Sequence, residues 1–266
     1  MALDEKALRK ELSAVEKQER KLTARAQMER KPGWKTEMEK KVPRKVYTGL
    51  ESAFCKGFEL VFSKGRGLIE KSYNRDEIQK DHAIRDFAVQ IKGGKKELRQ
   101  MHKSAKKSDL RNLVVTTAEG VGLGALGIGM PDVVLFLSTV LKGVYETALH
   151  YGYDYTSSRE QLLILKLLAA SLSSGGLFSQ LDEEVEALLP EKDCAVTEEE
   201  LQTQIKETAS VFAMDMLVLK FIQGMPVVGI IGGMANPVYY RKIMNYVQLK
   251  YRKRYLLNLN TEREPD

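Results

Sequence analysis

Two glycine-rich apolar stretches constrain the fold of this chain more than any other feature. The first covers residues 113–130, where five glycines fall within ten residues, and the second covers residues 221–240, which hold no charged side chain. Each glycine inside a helix costs about 1 kcal/mol relative to alanine. Such a density of glycine therefore predicts segments whose backbones bend or pack closely on another helix.

Three interpretations of these stretches can be compared. Gly120 and Gly124 are one helical turn apart, and small residues at this spacing form a flat face that another backbone can approach. The run Gly122–Gly127 also matches G-x-G-x-x-G, but Pro131 interrupts the helix that a dinucleotide site requires, so we reject a Rossmann site. Membrane contact is the third interpretation, because about 20 uncharged residues can cross a bilayer.

Helical periodicity runs through the rest of the chain, and no alternating strand pattern is convincing. Apolar residues recur at spacings of three, four and seven in residues 45–71, and a further helix is predicted at residues 76–91. The apolar positions of that second helix are Ile78, Ile84, Phe87 and Ile91. The sequence therefore predicts an all-α fold.

Capping signals predict where several helices begin. Ser157 with Glu160, and Thr197 with Glu200, have the spacing of capping boxes. The first box predicts a leucine-rich central helix, and the second predicts another long helix. The acidic residues 178–200 are predicted to form short helices and loops at the surface. Two further helices are expected to begin with prolines, at Pro131 and Pro237.

These elements predict a single multi-helix domain that contains both glycine-rich segments. The domain is expected at residues 43–257, after a charged N-terminal helical extension at residues 1–42 and before a polar tail at residues 258–266. No apolar leader segment follows Met1, so we expect a cytoplasmic protein.

Charge is distributed unevenly along the chain. Residues 1–112 carry 29 Lys and Arg against 17 Asp and Glu, whereas residues 113–266 carry 13 against 19. Residues 182–207 hold ten acids and two lysines, and residues 241–254 hold six bases and no acid. The net charge of +6 is therefore a remainder of opposite local charges and does not describe a uniformly basic protein.

Basic residues on two predicted helices are the candidate contacts for a membrane surface or a partner. A base near anionic headgroups contributes about 1 kcal/mol to membrane binding, although a solvated helix face is the simpler explanation. The pattern favours peripheral association over a stable span. The candidates are Lys45, Lys56, Lys64, Lys71, Arg241, Lys242, Lys250, Arg252, Lys253 and Arg254.

Glu119 and Asp132 are the candidate catalytic residues. Both carboxylates lie in apolar surroundings, where burial would raise their pKa, and a carboxylate pair can support hydrolysis. Asp132 is equally well explained by the first turn of a helix, and Glu119 by an ion pair with a base. No histidine or nucleophile lies nearby in the sequence, so a hydrolase-like enzyme is the alternative to a non-catalytic protein.

The sequence predicts no metal site, no cofactor site and no nucleic-acid interface. Two cysteines and three histidines show no zinc spacing, and no P-loop motif occurs. The bases of the first 112 residues are mixed with acids and lack interleaved aromatic residues, which argues against nucleic-acid binding.

Five short motifs, in this order, resemble the EcsC family of bacterial proteins. The motifs are Ala118-Glu119-Gly120, Met130-Pro131-Asp132, Tyr151-Gly152-Tyr153-Asp154, the run from Met225 to Asn236, and Lys250-Tyr251-Arg252-Lys253-Arg254. The resemblance spans about residues 45–257. The family-like positions are Glu119, Gly120, Asp132, Tyr151, Gly152, Asp154 and Asn236.

The resemblance implies a bacterial protein without an established activity. The namesake is encoded beside the ATPase and membrane subunits of an ABC transporter, and the family is regarded as cytoplasmic or membrane-associated. We therefore expect a non-catalytic accessory protein that binds a membrane surface or a membrane protein complex, with a peripheral position on the inner membrane. The oligomeric state stays open.

Overall fold

The computed structural model describes residues 4–28, 43–62, 66–106, 130–190, 195–222 and 237–261. Within these residues the chain forms helices and no strands, which confirms the predicted all-α fold. Residues 95–106 are helical as well. The bounds of the other helices are α1 Glu5–Met28, α2 Arg44–Leu60, α3 Arg66–Glu70, α4 Arg75–Lys92, α5 Met130–His150, α6 Ser158–Leu172, α7 Gly175–Leu188, α8 Glu198–Ile222 and α9 Pro237–Thr261.

Helices α5 and α6 lie at the centre of the described structure. Helix α5 contacts α2, α3, α4 and α9, while α6 contacts α7, α8 and α9. From Leu163 to Leu172 every residue of α6 except Lys166 is buried. A helix that is apolar nearly all round needs neighbours on all sides. The prediction of a central leucine-rich helix is therefore confirmed.

Local hydrogen bonds fix several helix ends at the predicted places. The Ser157 hydroxyl accepts a hydrogen bond from the Glu160 amide (3.2 Å) at the start of α6. At the start of α8 the capping box is reciprocal, because the Glu200 amide donates to Thr197 Oγ1 (3.2 Å) and the Thr197 amide donates to Glu200 Oε2 (2.8 Å). Gly93 ends α4 with φ of +55°, which favours glycine.

The acidic segment after α6 differs from its predicted form. Residues Gly175–Leu188 make one continuous helix, α7, which packs on α6 and α1. Phe178, Leu181 and Val185 are buried along one face of α7. Short surface helices and loops were therefore the wrong expectation for this part. The acids of the segment occupy the other positions of an amphipathic helix.

Helix α1 is built into the same hydrophobic core as the other helices. It contacts α9 and α7, and its side chains Ala7, Leu8 and Val15 are buried. The charged residues that flank this narrow apolar stripe include acids that reach α9. The N-terminal helix is thereby attached to the final helix of the domain.

Two glycines within helices, Gly57 and Gly143, have a neighbouring helix packed closely against them. A Cβ atom on Gly57 of α2 would lie 2.9 Å from Leu137 Cδ1, and one on Gly143 of α5 would lie 2.3 Å from the Tyr240 hydroxyl. Helix α2 therefore approaches α5 through its own Gly57, and α9 approaches α5 at Gly143 of α5. Most of both predicted glycine-rich segments, residues 113–129 and 223–236, lies outside the described residues.

One described helix is long and apolar enough to cross a membrane. It is the part of α5 from Val133 to His150, and 72% of this window is buried inside the protein. The central helix of a packed core has this same composition. Length and composition alone are therefore weak grounds for a span here.

Candidate functional site

Four of the predicted membrane-contact residues are internal. Lys250, Arg252 and Arg254 of α9 are buried, and Lys253 is only 17% exposed. Each makes an ion pair with an acid of the same chain. The prediction that these four side chains face a membrane or a partner is therefore corrected: their counter-charges are supplied by α1, α6 and α7.

The side chain of Lys250 is the centre of an ion-pair cluster. Its Nζ lies 2.5 Å from Glu19 Oε1 and 2.7 Å from Asp182 Oδ1, and it also contacts Glu186. Lys253 adds a second cation, with Nζ 2.7 Å from both Glu19 Oε2 and Glu186 Oε2. We call these five residues the Lys250 cluster. It joins α9 to α1 and α7.

Mutual stabilisation within the Lys250 cluster outweighs the cost of burial. Burial opposes ionisation of Glu19, but hydrogen bonds from Lys250 and Lys253 lower its pKa to about 2. Burial likewise opposes the charge on Lys250, but Glu186, Asp182 and Glu19 raise its pKa. The three carboxylates have oxygen atoms within 4.8 Å of one another, a spacing that would suit a cation. The ammonium group of Lys250 takes that place.

A second buried ion pair anchors α9 to α6. Arg254 Nη1 lies 2.7 Å from Glu160 Oε2, and both side chains are 4% exposed. The Tyr251 hydroxyl donates to the other carboxylate oxygen of Glu160 at 2.6 Å. Arg252 pairs with the buried Glu11 of α1 at 2.5 Å. Both oxygens of the Glu160 carboxylate are therefore satisfied, as a buried charge requires.

The family-like positions divide between described and undescribed residues. Tyr151, Gly152 and Asp154 lie in the turn that joins α5 to α6, and Asp132 lies in the first turn of α5. Outside the described residues are Glu119, Gly120 and Asn236. Because Glu119 lies outside the described residues, the carboxylate pair Glu119 with Asp132 stays a prediction.

Aromatic side chains hold the turn after α5 against α9. The Tyr151 ring lies 5.8 Å from the Tyr255 ring, and the Tyr151 hydroxyl is 3.2 Å from His102 Nδ1. The guanidinium of Arg254 lies over the Tyr153 ring, 3.8 Å from its centroid. Burial, with Arg252 and Lys106 nearby, lowers the pKa of His102 to about 4. His102 is therefore neutral at pH 7.

Gly152 allows His82 to pack on the turn. Its φ is +83°, and a Cβ atom at this position would lie 2.4 Å from His82 Nε2. The other ring nitrogen of His82 is 3.1 Å from the carbonyl oxygen of His150. Glycine is needed at this position for both its conformation and its lack of a side chain.

A chain of hydrogen bonds secures the other end of the turn. The Tyr73 hydroxyl donates to Tyr155 at 2.8 Å, and the Tyr155 hydroxyl donates to Glu70 at 2.7 Å. Arg75 lies 3.5 Å from Glu70 and 3.4 Å from Asp154. Burial raises the pKa of Tyr155 to about 12, so its hydroxyl stays protonated and acts as a donor. These hydrogen bonds and ion pairs therefore hold the turn in one conformation.

Five of the six remaining predicted membrane contacts are at the surface. The exposed residues are Lys45, Lys56, Lys71, Arg241 and Lys242. Lys64 lies outside the described residues. Arg241 and Lys242 belong to the first part of α9, so only the start of the basic run is available to a surface.

The most exposed apolar surface of the described residues lies on α4. Ile84 is 70% exposed, Phe87 63% and Ile91 46%. The opposite face of the same helix buries Ile78 and Val89 in the core. We call Ile84, Phe87 and Ile91 the α4 stripe. In the sequence, Ile78 and the stripe form one apolar pattern. Their spacing could have shown two faces, because Ile78 and Val89 are three turns apart and the stripe follows its own three-four spacing.

Four lysines lie close to the α4 stripe along the chain, together with the acids Asp76, Glu77 and Glu97. Lys80 precedes Ile84 by one turn, Lys92 follows Ile91, and Lys95 and Lys96 follow directly after α4. The Asp4 amide donates a hydrogen bond to the Gly93 carbonyl (3.0 Å), so the start of α1 lies at the end of α4, and nearby Arg99 and Lys10 lower the pKa of Lys95. The proximity of Lys10 to Lys95 could not be predicted from the sequence, because the two residues lie far apart along the chain.

Two acids of α4 have partners within the protein. Asp81 pairs with Arg85 (2.7 Å), which outweighs burial and lowers the pKa of Asp81. Asp86 accepts a hydrogen bond from the Tyr255 hydroxyl (2.7 Å). Asp81 therefore cancels the charge of Arg85, whereas Asp86 keeps its own, and Asp76 and Glu77 add negative charge in the first turn of α4.

Comparison with known proteins identifies related sequences. The model of the EcsC protein family matches residues 6–256. Protein EcsC of Bacillus subtilis (strain 168) is 27% identical to the chain over 207 residues, which cover 76% of this chain and 75% of that protein. No solved structure matches the chain. The family match begins within α1, the helix that the Lys250 cluster ties to α9.

Proposed function

This chain belongs to the EcsC protein family, and we propose that it is a non-catalytic accessory protein that binds a membrane surface or a complex within a membrane. The α4 stripe is the observation that carries the proposal. It presents three large apolar side chains to solvent, and four lysines lie close to it along the chain. An exposed helix face of this composition is typical of proteins that lie at a membrane interface.

The apolar contribution to membrane binding is limited by the size of the stripe. Burying one large apolar side chain completely contributes roughly 1.5–3 kcal/mol, so burying the exposed parts of these three contributes roughly 3–5 kcal/mol. A single myristoyl chain, which binds membranes only marginally, provides about as much. The stripe alone is therefore insufficient for stable attachment.

The lysines beside the stripe supply the second contribution. Each base near an anionic surface adds about 1 kcal/mol, and this attraction weakens within a Debye length of about 10 Å at 0.1 M salt. Lys80, Lys92, Lys95 and Lys96 could together contribute as much as the stripe. Binding that combines the two is expected to be reversible, to require anionic lipid and to weaken with salt.

The finer part of the proposal concerns the complex that this protein would assist. The resemblance to the family leads us to propose an ABC transporter. A photo-crosslinking residue at Phe87, introduced in living cells, should capture a transporter subunit. Crosslinks to lipid alone would contradict this finer part and would leave membrane-surface binding supported.

Vesicle flotation tests membrane binding. The protein should float with vesicles that contain phosphatidylglycerol at about 50 mM NaCl, and less at about 500 mM NaCl or with phosphatidylcholine alone. The triple variant Ile84→Gln/Phe87→Gln/Ile91→Gln should bind the anionic vesicles roughly tenfold more weakly or worse.

A matched control distinguishes the stripe from exposed apolar residues in general. Leu177 of α7 is 48% exposed and lies outside α4, so Leu177→Gln should leave flotation unchanged. Circular dichroism should show that all variants remain folded. No binding to anionic vesicles, or equal binding by the triple variant and the parent, would contradict the proposal.

A further inference from the structure

A second surface of the molecule carries the opposite charge. A groove lies between α7 and α8, and α6 forms its floor. We propose that this acidic groove binds a basic amphipathic helix of a partner protein. The inference rests on residues outside α4 and is independent of membrane binding.

The dimensions of the groove match a short helix. Helix α6 packs against both α7 and α8, so these two helices stand as walls on either side of it. The groove has a volume of about 1030 Å³. A helix about 10 Å across rises 1.5 Å per residue, so this volume accommodates about two turns.

The groove has an apolar strip along its lining. Leu162 and Ala169 belong to the floor, Leu181 to the α7 wall and Val211 to the α8 wall. Leu177, which is 48% exposed, extends this strip along the α7 wall. A helix with a narrow apolar face could bury that face here, which is how helices bind in grooves.

Carboxylates dominate the charges along the groove. Its acidic residues are Glu51, Glu184, Glu199, Glu200 and Glu207, and its basic residues are Lys166 and Lys206. One lysine is already paired, because Lys166 Nζ lies 2.5 Å from Glu184. Among the described residues, neither Glu199 nor Glu207 has an ion-pair partner, and both are exposed. The α8 wall therefore presents unneutralised negative charge to an occupant.

This charge selects among the possible occupants. An anionic lipid surface would be repelled by the α8 wall, whereas lysines or arginines that flank the apolar face of a helix would meet Glu199 and Glu207. A second copy of this chain could present its α4 stripe and lysines. That arrangement would compete with membrane binding, and it is tested separately below.

Fluorescence anisotropy with a designed peptide tests the groove. The probe is a fluorescein-labelled helix of about 14 residues, with leucines on one face and lysines on the other. It should bind, and binding should weaken roughly tenfold or more between about 50 mM and about 500 mM NaCl. A peptide with glutamate in place of every lysine should not bind.

Variants of the protein locate the binding. The double variant Glu199→Lys/Glu207→Lys and the single variant Leu177→Lys should each weaken peptide binding roughly tenfold or more. Glu183→Lys is the matched control, because Glu183 is exposed on α7 and does not line the groove. It should leave the affinity within about twofold.

Three results would overturn the proposal. The first is no binding of the lysine peptide, and the second is equal binding by the parent and the two groove variants. The third is self-association in sedimentation velocity that both Leu177→Lys and Phe87→Gln abolish, which would assign the groove to a second copy of this chain. None of them affects the vesicle experiment with the stripe variants at low protein concentration.

Discussion

Helices α9 and α4 differ from what their compositions indicate: α9 buries basic residues, and α4 exposes apolar residues. The basic run of α9 reads as a surface segment, yet Lys250 is 1% exposed and Arg252 and Arg254 are buried. The apolar positions of α4 read as core, yet Ile84 and Phe87 are mostly exposed. The composition of a helix therefore shows what it can contact and does not show which contacts the fold provides.

The difference lies in what the neighbouring helices supply. Helix α9 meets acids from α1, α6 and α7, so its bases can be buried with their charges paired. Helix α4 packs on α5 through its Ile78 and Val89 face, and the described residues cover its opposite face only in part. Each prediction below tests one side of this comparison.

Lys250→Met should produce the largest loss of stability. The substitution leaves the carboxylates of Glu19, Asp182 and Glu186 close together without their central cation. Breaking a buried ion-pair cluster by removing one partner costs about 3–5 kcal/mol. Urea unfolding followed by circular dichroism measures the loss.

A control on the same helix makes this prediction specific. Lys242 is exposed, so Lys242→Met should change the free energy of unfolding by no more than about 0.5 kcal/mol. If both lysine variants have equal effects, the basic run of α9 is a surface segment and the comparison with α4 fails.

Gly152→Ala tests how the buried face of α4 meets the turn after α5. Alanine at φ +83° is strained, and its Cβ would displace the His82 ring from its contact with the His150 carbonyl. We expect a loss of about 2–3 kcal/mol in urea unfolding. Gly176→Ala has open space and no positive φ, so it should be neutral or stabilising by up to about 1 kcal/mol. Similar results for the two variants would mean that His82 does not pack on the turn.

Acidification should destabilise the protein through His102, which lies against Tyr151 of the turn after α5. Its pKa falls from the ordinary 6.5 to about 4 in the folded protein, so below pH 6.5 the unfolded chain binds a proton that the folded protein does not. Stability should therefore fall as pH decreases from 6.5 towards 4, and this group should account for about 2 kcal/mol at pH 5.

The contribution of His102 to the pH dependence is the difference in unfolding free energy between the parent and a variant that lacks the imidazole. Urea unfolding of the parent and of His102→Gln should be compared at several pH values between 7.5 and 5, chosen to be about one unit apart. The parent should lose stability relative to the variant as pH falls. A constant difference across this range would show that His102 titrates alike in the folded and unfolded states.

The helix ends could be predicted because their signals are local. The capping residues of α6 and α8 lie three positions apart, and Pro131 and Pro237 lie in the first turns of α5 and α9. Each signal involves a hydrogen bond or a backbone preference within one turn. The order of helices and the all-α fold follow from such signals.

The burial of charge could not be predicted, because its partners are distant in sequence. Lys250 and Glu19 are 231 residues apart, and Arg254 and Glu160 are 94 apart. A basic run has the same appearance in the sequence whether such acids reach it or not. The same limit applies to α4. Its spacing shows two apolar faces, but the sequence does not show which of the two the core covers.

Substitution of the exposed face of α4 should have the smallest effect on stability and a clear effect on binding. Phe87 is 63% exposed, so Phe87→Gln should change the free energy of unfolding by no more than about 0.5 kcal/mol. Val89, two positions away on the opposite face, is fully buried, and Val89→Ala should cost about 1–3 kcal/mol. In vesicle flotation the order reverses, because only Phe87→Gln removes apolar surface that a membrane could bury. If Phe87→Gln were the more destabilising of the two, the face that carries the α4 stripe would be packed within the protein, and α4 would no longer contrast with α9.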